Sequence, residues 1–147
     1  VNFCKKIEQA NKSKISKDFL IGARIESFIL GKGLNDALKR AISYSRAGAD
    51  LILIHSKKNN PKEIFNFAKQ FSKSKYYKPM VAVPSTYSKT YESELIKHGF
   101  KIVIYANHLL RAAYPSMVET AKTILEKQRS FDTENRISPI NKILNLI

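Results

Sequence analysis

The chain has 147 residues, 44% of them hydrophobic, which suits one packed domain and excludes a disordered chain. No apolar run approaches the roughly 20 residues needed to cross a bilayer, and the N-terminus lacks the order of a signal peptide, so a cytoplasmic protein with no membrane partner is expected. The 26 Lys and Arg against 12 Asp and Glu give a net charge of +14, a balance that can serve nucleic acid, yet the lysines are scattered through helical stretches such as "KEIFNFAKQFSKSK" with no Arg-rich block or aromatic stacking array, which argues against a nucleic-acid face.

In chain order, residues 1–18 are expected to form a Lys-rich amphipathic helix, with Phe3, Ile7 and Ala10 at helical spacing, and a loop to Asp18. The run "FLIGARIESFI", residues 19–29, predicts a buried strand. It is followed by the helix "LNDALKRAISYSRAGA", whose Leu34, Ala37, Leu38, Ala41 and Ile42 make one apolar stripe and whose Gly48 is placed for a left-handed stop. A second unit pairs the strand "DLILIHS" with the helix "PKEIFNFAKQFSK", started by Pro61, with Ile64, Phe65, Ala68 and Phe71 facing inward. The third pairs "KPMVAVPS" with "TYESELIKHG", stopped at Gly99. The fourth pairs "KIVIYAN" with "LLRAAYPSMVETAKTILEKQR". A short helix in "SPINKILNLI", capped by Ser138, closes the chain.

Four strand-helix units with short links predict an α/β fold with a parallel sheet, either an open doubly wound sheet or part of a (β/α)8 barrel. A barrel takes about 250 residues, so four units are half of one. The glycine-rich phosphate loops that open sheets advertise are absent, and the chain begins at Val1, a poor translation start; both favour half a barrel. The single cysteine, Cys4, has no internal disulfide partner and suggests no catalytic role.

Ligands of parallel α/β folds gather at the carboxyl ends of strands, and these strand ends carry polar chemistry. Arg24 and Glu26, two apart, share one face of their strand; the pair can satisfy itself, or Arg24 can fork a carboxylate or phosphate. His55 and Ser56 end the second strand, Ser85 and Thr86 the third, Asn107 and His108 the fourth. A guanidinium, an imidazole, hydroxyls and an amide around one opening suit a small oxygen-rich anion. They do not make a metal cage, because Glu26 is the only acid at a strand end.

The run "FLIGARIESFILGKGLNDALKRAISYSRAGADLILIHSKKNNPKEI", with "KPMVAVPSTY" and "VIYANHLLRAAYPSM", resembles the phosphoenolpyruvate mutase family of the isocitrate lyase and phosphoenolpyruvate mutase superfamily. The resemblance covers nearly the whole chain, carried by the order and spacing of "ARIE", "GLNDALKRA", "AGAD", "HSKK" and "ANHLLRA", and it is to the carboxyl-terminal half of such enzymes. It implies the carboxyl-terminal half of a (β/α)8 TIM-type barrel with an extra C-terminal helix: residues 18–130 as strand-helix units five to eight, residues 131–147 as a tail helix exchanged between subunits of a homo-oligomer. The implied reaction interconverts phosphoenolpyruvate and phosphonopyruvate, the carbon–phosphorus bond-forming step of phosphonate biosynthesis.

By the same resemblance, Arg24 binds the phosphoryl group and His55 contacts it, both as catalytic residues. Glu26 and Asn107 match residues near that pocket, while Ser56 and Lys57 match its neighbours. Mg²⁺ would clamp the pyruvate oxygens, with ligands in the first half of the barrel, where the family's phosphate-binding segment and gating loop also lie. The 147 residues alone are therefore expected to be inactive. The nearest rival is a phosphonopyruvate hydrolase on the same scaffold; a carbon–carbon lyase fits "HSKK" and "ARIES" less well. Outside enzymes, the rival is a non-catalytic half-barrel that binds an anion through its positive charge, or a remnant without function.

Overall fold

The computed structural model describes residues 2–146; the expected helix start at residue 1 and helix end at residue 147 lie outside the described residues. The elements run α1 (Asn2–Lys12), β1 (Gly22–Ile25), α2 (Gly33–Arg46), β2 (Leu51–Ile54), α3 (Lys62–Phe71), β3 (Met80–Ala82), α4 (Glu92–Lys97), β4 (Phe100–Val103), α5 (His108–Lys127), a 3₁₀ turn at Phe131–Thr133 and α6 (Ile140–Leu144). They group into two compact units, one ending at Ala106 and one starting at Asn107. None of the described helices is long and apolar enough to cross a membrane.

In the first unit the four strands pair in parallel in the order β1-β2-β3-β4, as successive strand-helix units require. One sheet face is fully covered: Ala23, Ile25, Ile52, Ile54, Met80 and Ala82 are at most 1% exposed. Helix α3 closes over this face with Ile64, Phe67 and Phe71, all fully buried and each contributing about 1.5–3 kcal/mol. The opposite face is open along β1 and β4 and closed at Val81 of β3, which is 3% exposed. It shows Gly22 and Arg24 exposed, Leu51 and Leu53 half-buried, and Ile102 and Ile104 exposed.

The strands are shorter than the apolar runs that announced them. Residues 19 and 20 are exposed ahead of β1, and after Ile25 the chain turns, with Leu30 N–H donating to the Glu26 carbonyl and Lys32 N–H to that of Ser27. The inward stripe of α3 runs through Phe67, while Phe65 lies half-buried and stacks on His98 at 3.6 Å between ring centroids. Pro61 sits at the N-cap of α3, one residue before the expected first turn. The cap of α6 is Pro139, not Ser138.

Gly48 and Gly99 stop α2 and α4 at φ +100° and +87°, conformations that glycine adopts without steric cost. At Gly48 a second constraint acts: Asn11 Nδ2 donates to the Gly48 carbonyl at 2.6 Å and occupies the place a Cβ would take. Helix α1 is thereby fastened to the end of α2, with Phe3 against Tyr44 at 4.8 Å between rings. Asp50 ties the entry to β1 in the same way, binding the Lys14 ammonium and accepting the Ile21 N–H at 2.8 Å.

In the second unit, the Arg129 guanidinium pairs with Asp132 at 2.7 Å, and Thr133 donates to the Ser130 carbonyl. Helix α5 carries Pro115 within it.

Two measurements test these fastenings. Gly48→Ala is expected to cost about 1–3 kcal/mol of unfolding free energy from backbone strain, with the Asn11 clash added; urea unfolding reads this, and an unchanged midpoint would reject the fastening. Burial alone would raise the Asp50 pKa, but the Lys14 and Ile21 hydrogen bonds outweigh it and hold the carboxyl below its ordinary 3.8. A carboxyl depressed in the folded state adds stability above its unfolded pKa and loses it as pH falls through the folded one. Asp50→Asn should therefore destabilise at pH 7 and narrow the difference between pH 7 and pH 3.

Candidate functional site

Alternation along β1 sends Ala23 and Ile25 into the core and Arg24 and Glu26 to the open face. Arg24 Nε and Glu26 Oε1 form an ion pair, with half of the Arg24 side chain still exposed. The parallel register sets Arg24 beside Leu53 and Ile25 beside Ile54, so His55, the residue after β2, comes level with Glu26 and points to the same side.

Burial holds the His55 pKa below its ordinary 6.5; the Arg24 charge lowers it further and Glu26 opposes both. Its Nδ1 is enclosed without a hydrogen-bond partner among the described residues. Arg24, Glu26 and His55 thus form one cluster: a cation with free donors, a carboxylate that tethers it, and a neutral imidazole at neutral pH. Donors of this kind are the chemistry that suits a small anion.

The other strand-end residues part company. Ser56, one step past His55, is fully buried and faces α3, where its hydroxyl meets the Glu63 carboxylate and accepts the Lys58 N–H at 3.0 Å. Lys57 is exposed. Ser85 Oγ is enclosed without a partner among the described residues. Thr86 donates its hydroxyl to the Ser56 carbonyl at 2.6 Å. Asn107 and His108 belong to the second unit, where Asn107 stands exposed at the N-cap of α5 and its carbonyl accepts the Arg111 N–H at 3.0 Å. Sequence reasoning passed over Glu63. Its available signal was an acidic residue in the first turn of α3, seven residues after a serine.

A recess of about 760 Å³ lies elsewhere, between α1 and α2. Three of its lining residues are linked: Arg40 pairs with Asp36 at 2.7 Å and reaches the Tyr44 hydroxyl at 3.3 Å, while Ser27, outside the recess, donates to Asp36 at 2.6 Å. Among the described residues no three of His, Cys, Asp and Glu are grouped to hold a metal ion. Glu26 is engaged by Arg24, so the strand-end residues of this chain do not fit Mg²⁺.

A phosphoenolpyruvate phosphomutase family model matches residues 1–125. The phosphoenolpyruvate phosphomutase of Tetrahymena pyriformis is 38% identical over 144 residues, covering 98% of this chain and 47% of that protein. The phosphonopyruvate hydrolase of a Variovorax species is 35% identical over 144 residues, covering 96% and 48%. The crystal structure of the phosphoenolpyruvate phosphomutase from Streptomyces platensis subsp. rosaceus superposes with a TM-score of 0.88 at 38% identity, covering 98% of this chain and 49% of that one. The chain spans about half the length of the curated relatives it matches.

The cluster makes a signed prediction. NMR titration of the His55 ring should give a midpoint below 6.5; Arg24→Met should move it up, and Glu26→Gln should move it down. Because native His55 holds its proton less tightly than the unfolded chain does, it detracts from stability as pH falls below 6.5. A midpoint indifferent to both substitutions would dissolve the cluster.

Proposed function

The chain belongs to the phosphoenolpyruvate phosphomutase family, its open parallel sheet being a half-length piece of the (β/α)8 barrel, and from that membership we propose that it supplies the phosphoryl-binding side of an enzyme interconverting phosphoenolpyruvate and phosphonopyruvate. The observation that carries the reading is the Arg24–Glu26–His55 cluster at the carboxyl ends of β1 and β2.

Going from phosphonopyruvate, the bond between C3 and phosphorus breaks, leaving pyruvate enolate, and the enolate oxygen then takes the phosphoryl group. A migrating phosphoryl group of loose, metaphosphate-like character needs its equatorial oxygens held, and little covalent help. The Arg24 fork meets those oxygens, with Glu26 fixing its plane. His55, neutral at pH 7, offers Nε2 to the same group. Asn107, at the start of the second unit, is proposed as a further substrate-binding residue on the family pattern. Mg²⁺, present with oxalate in a phosphonopyruvate hydrolase structure, would polarise the pyruvate oxygens; its ligands are assigned to the other half of the barrel, because the strand ends here do not fit it.

The further assignments follow the same reading. The chain is placed as strand-helix units five to eight, in a cytoplasmic enzyme without nucleic-acid partners. A homo-oligomer with exchanged C-terminal helices is supported by the exposed Leu109, Leu110, Met117 and Leu125 of α5 and Leu144 of α6. Phosphonopyruvate hydrolysis is the second reading, favoured by the 35% identity to the Variovorax enzyme.

Phosphorus NMR tests both. The 147 residues alone, with Mg²⁺ and phosphonopyruvate, should give no turnover. Joined to the amino-terminal half of the Streptomyces platensis enzyme, they should yield phosphoenolpyruvate, and Arg24→Ala should lower kcat about 10²–10³-fold. Free phosphate as the product would convert the assignment to hydrolase, and an unaffected Arg24→Ala rate would remove the cluster from the chemistry.

A further inference from the structure

His55 lies one residue beyond β2, outside the ladder that fixes Ile54, and its own Nδ1 makes no hydrogen bond among the described residues. A side chain so placed needs its backbone held by something else. What holds it is the neighbouring Ser56. The Ser56 side chain is fully buried and directed at α3, on the side of the chain opposite His55.

Four contacts, three of them to Ser56 itself, hold this point. The Ser56 hydroxyl meets Glu63 Oε1, in the first turn of α3. Glu63 Oε2 takes the Lys58 ammonium at 2.8 Å, closing the loop back on itself, and Lys58 N–H donates to Ser56 Oγ at 3.0 Å. From the loop after β3, the Thr86 hydroxyl donates to the Ser56 carbonyl at 2.6 Å. Side chain and carbonyl of one residue are thus fastened to two different elements, and the Glu63 side chain is only 18% exposed, where a charge-assisted hydrogen bond is stronger than in water.

We propose that Glu63 and Thr86 are positioning residues that hold the His55 imidazole against Arg24 and Glu26, acting through Ser56 without touching the ligand. The proposal rests on the reading of His55 as a ligand contact. It adds that the orientation of this histidine is set by a buried serine fastened to the next helix and the next loop. Loss of either fastening lets residues 55–58 move, so that His55 gains water and drifts from the Arg24 and Glu26 charges that bear on it.

The His55 ring signal of the 147-residue chain, recorded without substrate and distinguished from His98 and His108, tests this. Thr86→Val removes the hydroxyl at nearly constant volume and should broaden the His55 signal and raise its midpoint toward 6.5. Thr86→Ser restores the donor and should return His55 to its original midpoint. Glu63→Ala should act like Thr86→Val; should that variant not fold, the Thr86 pair decides, because Thr86 is exposed and its hydroxyl is the only atom changed in kind.

In the joined full-length barrel, Thr86→Val should lower kcat about 10–100-fold with KM nearly constant, and Thr86→Ser should recover the rate. An unmoved His55 signal in folded Thr86→Val, or failure of Thr86→Ser to restore it, overturns the positioning role. A His55 signal that responds as stated while the joined barrel has no turnover would overturn the proposed function and leave the positioning intact.

Discussion

The two-residue repeat of a parallel strand is the constraint on which this structure depends. Each strand must serve a core on one side and a chemical surface on the other. In β1 the division is plain: Ala23 and Ile25 are 1% exposed while Arg24 between them reaches solvent. The register carries this facing across β1, β2 and β3, Arg24 beside Leu53 beside Val81, and a register shift at Met80/Val81, which passes over Lys101, keeps Phe100 beside Met80 and Ile102 beside Val81 in β4. Moving the register by one residue would bury the Arg24–Glu26 pair beneath α2 and expose Ile25, so the packing that stabilises the fold also aims the site.

Electrostatics then divides labour within the cluster. Burial and the Arg24 charge both disfavour a proton on His55, and Glu26 partly restores it. Glu26 also pairs with Arg24, which keeps the guanidinium in one plane but leaves its other donors free. One carboxylate therefore acts on both the guanidinium and the imidazole, and as the single acid of the cluster it does not make a divalent-ion cage. The donors of the cluster, a guanidinium and an imidazole, are those the proposed anion recognition would use. The net charge of +14 is spread over helices and loops alike, with Lys57 and Lys58 following His55 and Ser56 directly.

Much of this was legible in the residues, and the failures have physical causes. Four strand-helix units, the stops at Gly48 and Gly99, and the shared face of Arg24 and Glu26 followed from periodicity and from the need for positive φ. Strand length did not follow. The stretch 26–30 is apolar enough to continue a strand, yet Phe28 is buried from within a turn while Ser27 caps Asp36, and a tertiary hydrogen bond of this kind leaves no periodic trace. Phe67 was passed over in favour of Phe65, although positions 64, 67, 68 and 71 are the better helical stripe; the stacking of Phe65 on His98 depends on a helix two elements away. The cap of α6 fell to Pro139 because the chain enters that helix extended.

Ser56 shows the deeper limit. Adjacent to a histidine at a strand end, it has the composition of a site residue, and only alternation shows that it must face the other way. Once it does, its hydroxyl needs a partner within the protein, since a buried polar group without one costs about 1–3 kcal/mol; Glu63 supplies it. That demand explains why an acid stands in the first turn of α3 beyond the modest gain from the helix dipole. The carboxylate is held by Lys58 on its other oxygen, so the loop that follows β2 is closed by charge as well as by hydrogen bonding. The face proposed for the ligand and the inner face satisfied by Glu63 and Thr86 are therefore two sides of the same dipeptide, His55 and Ser56.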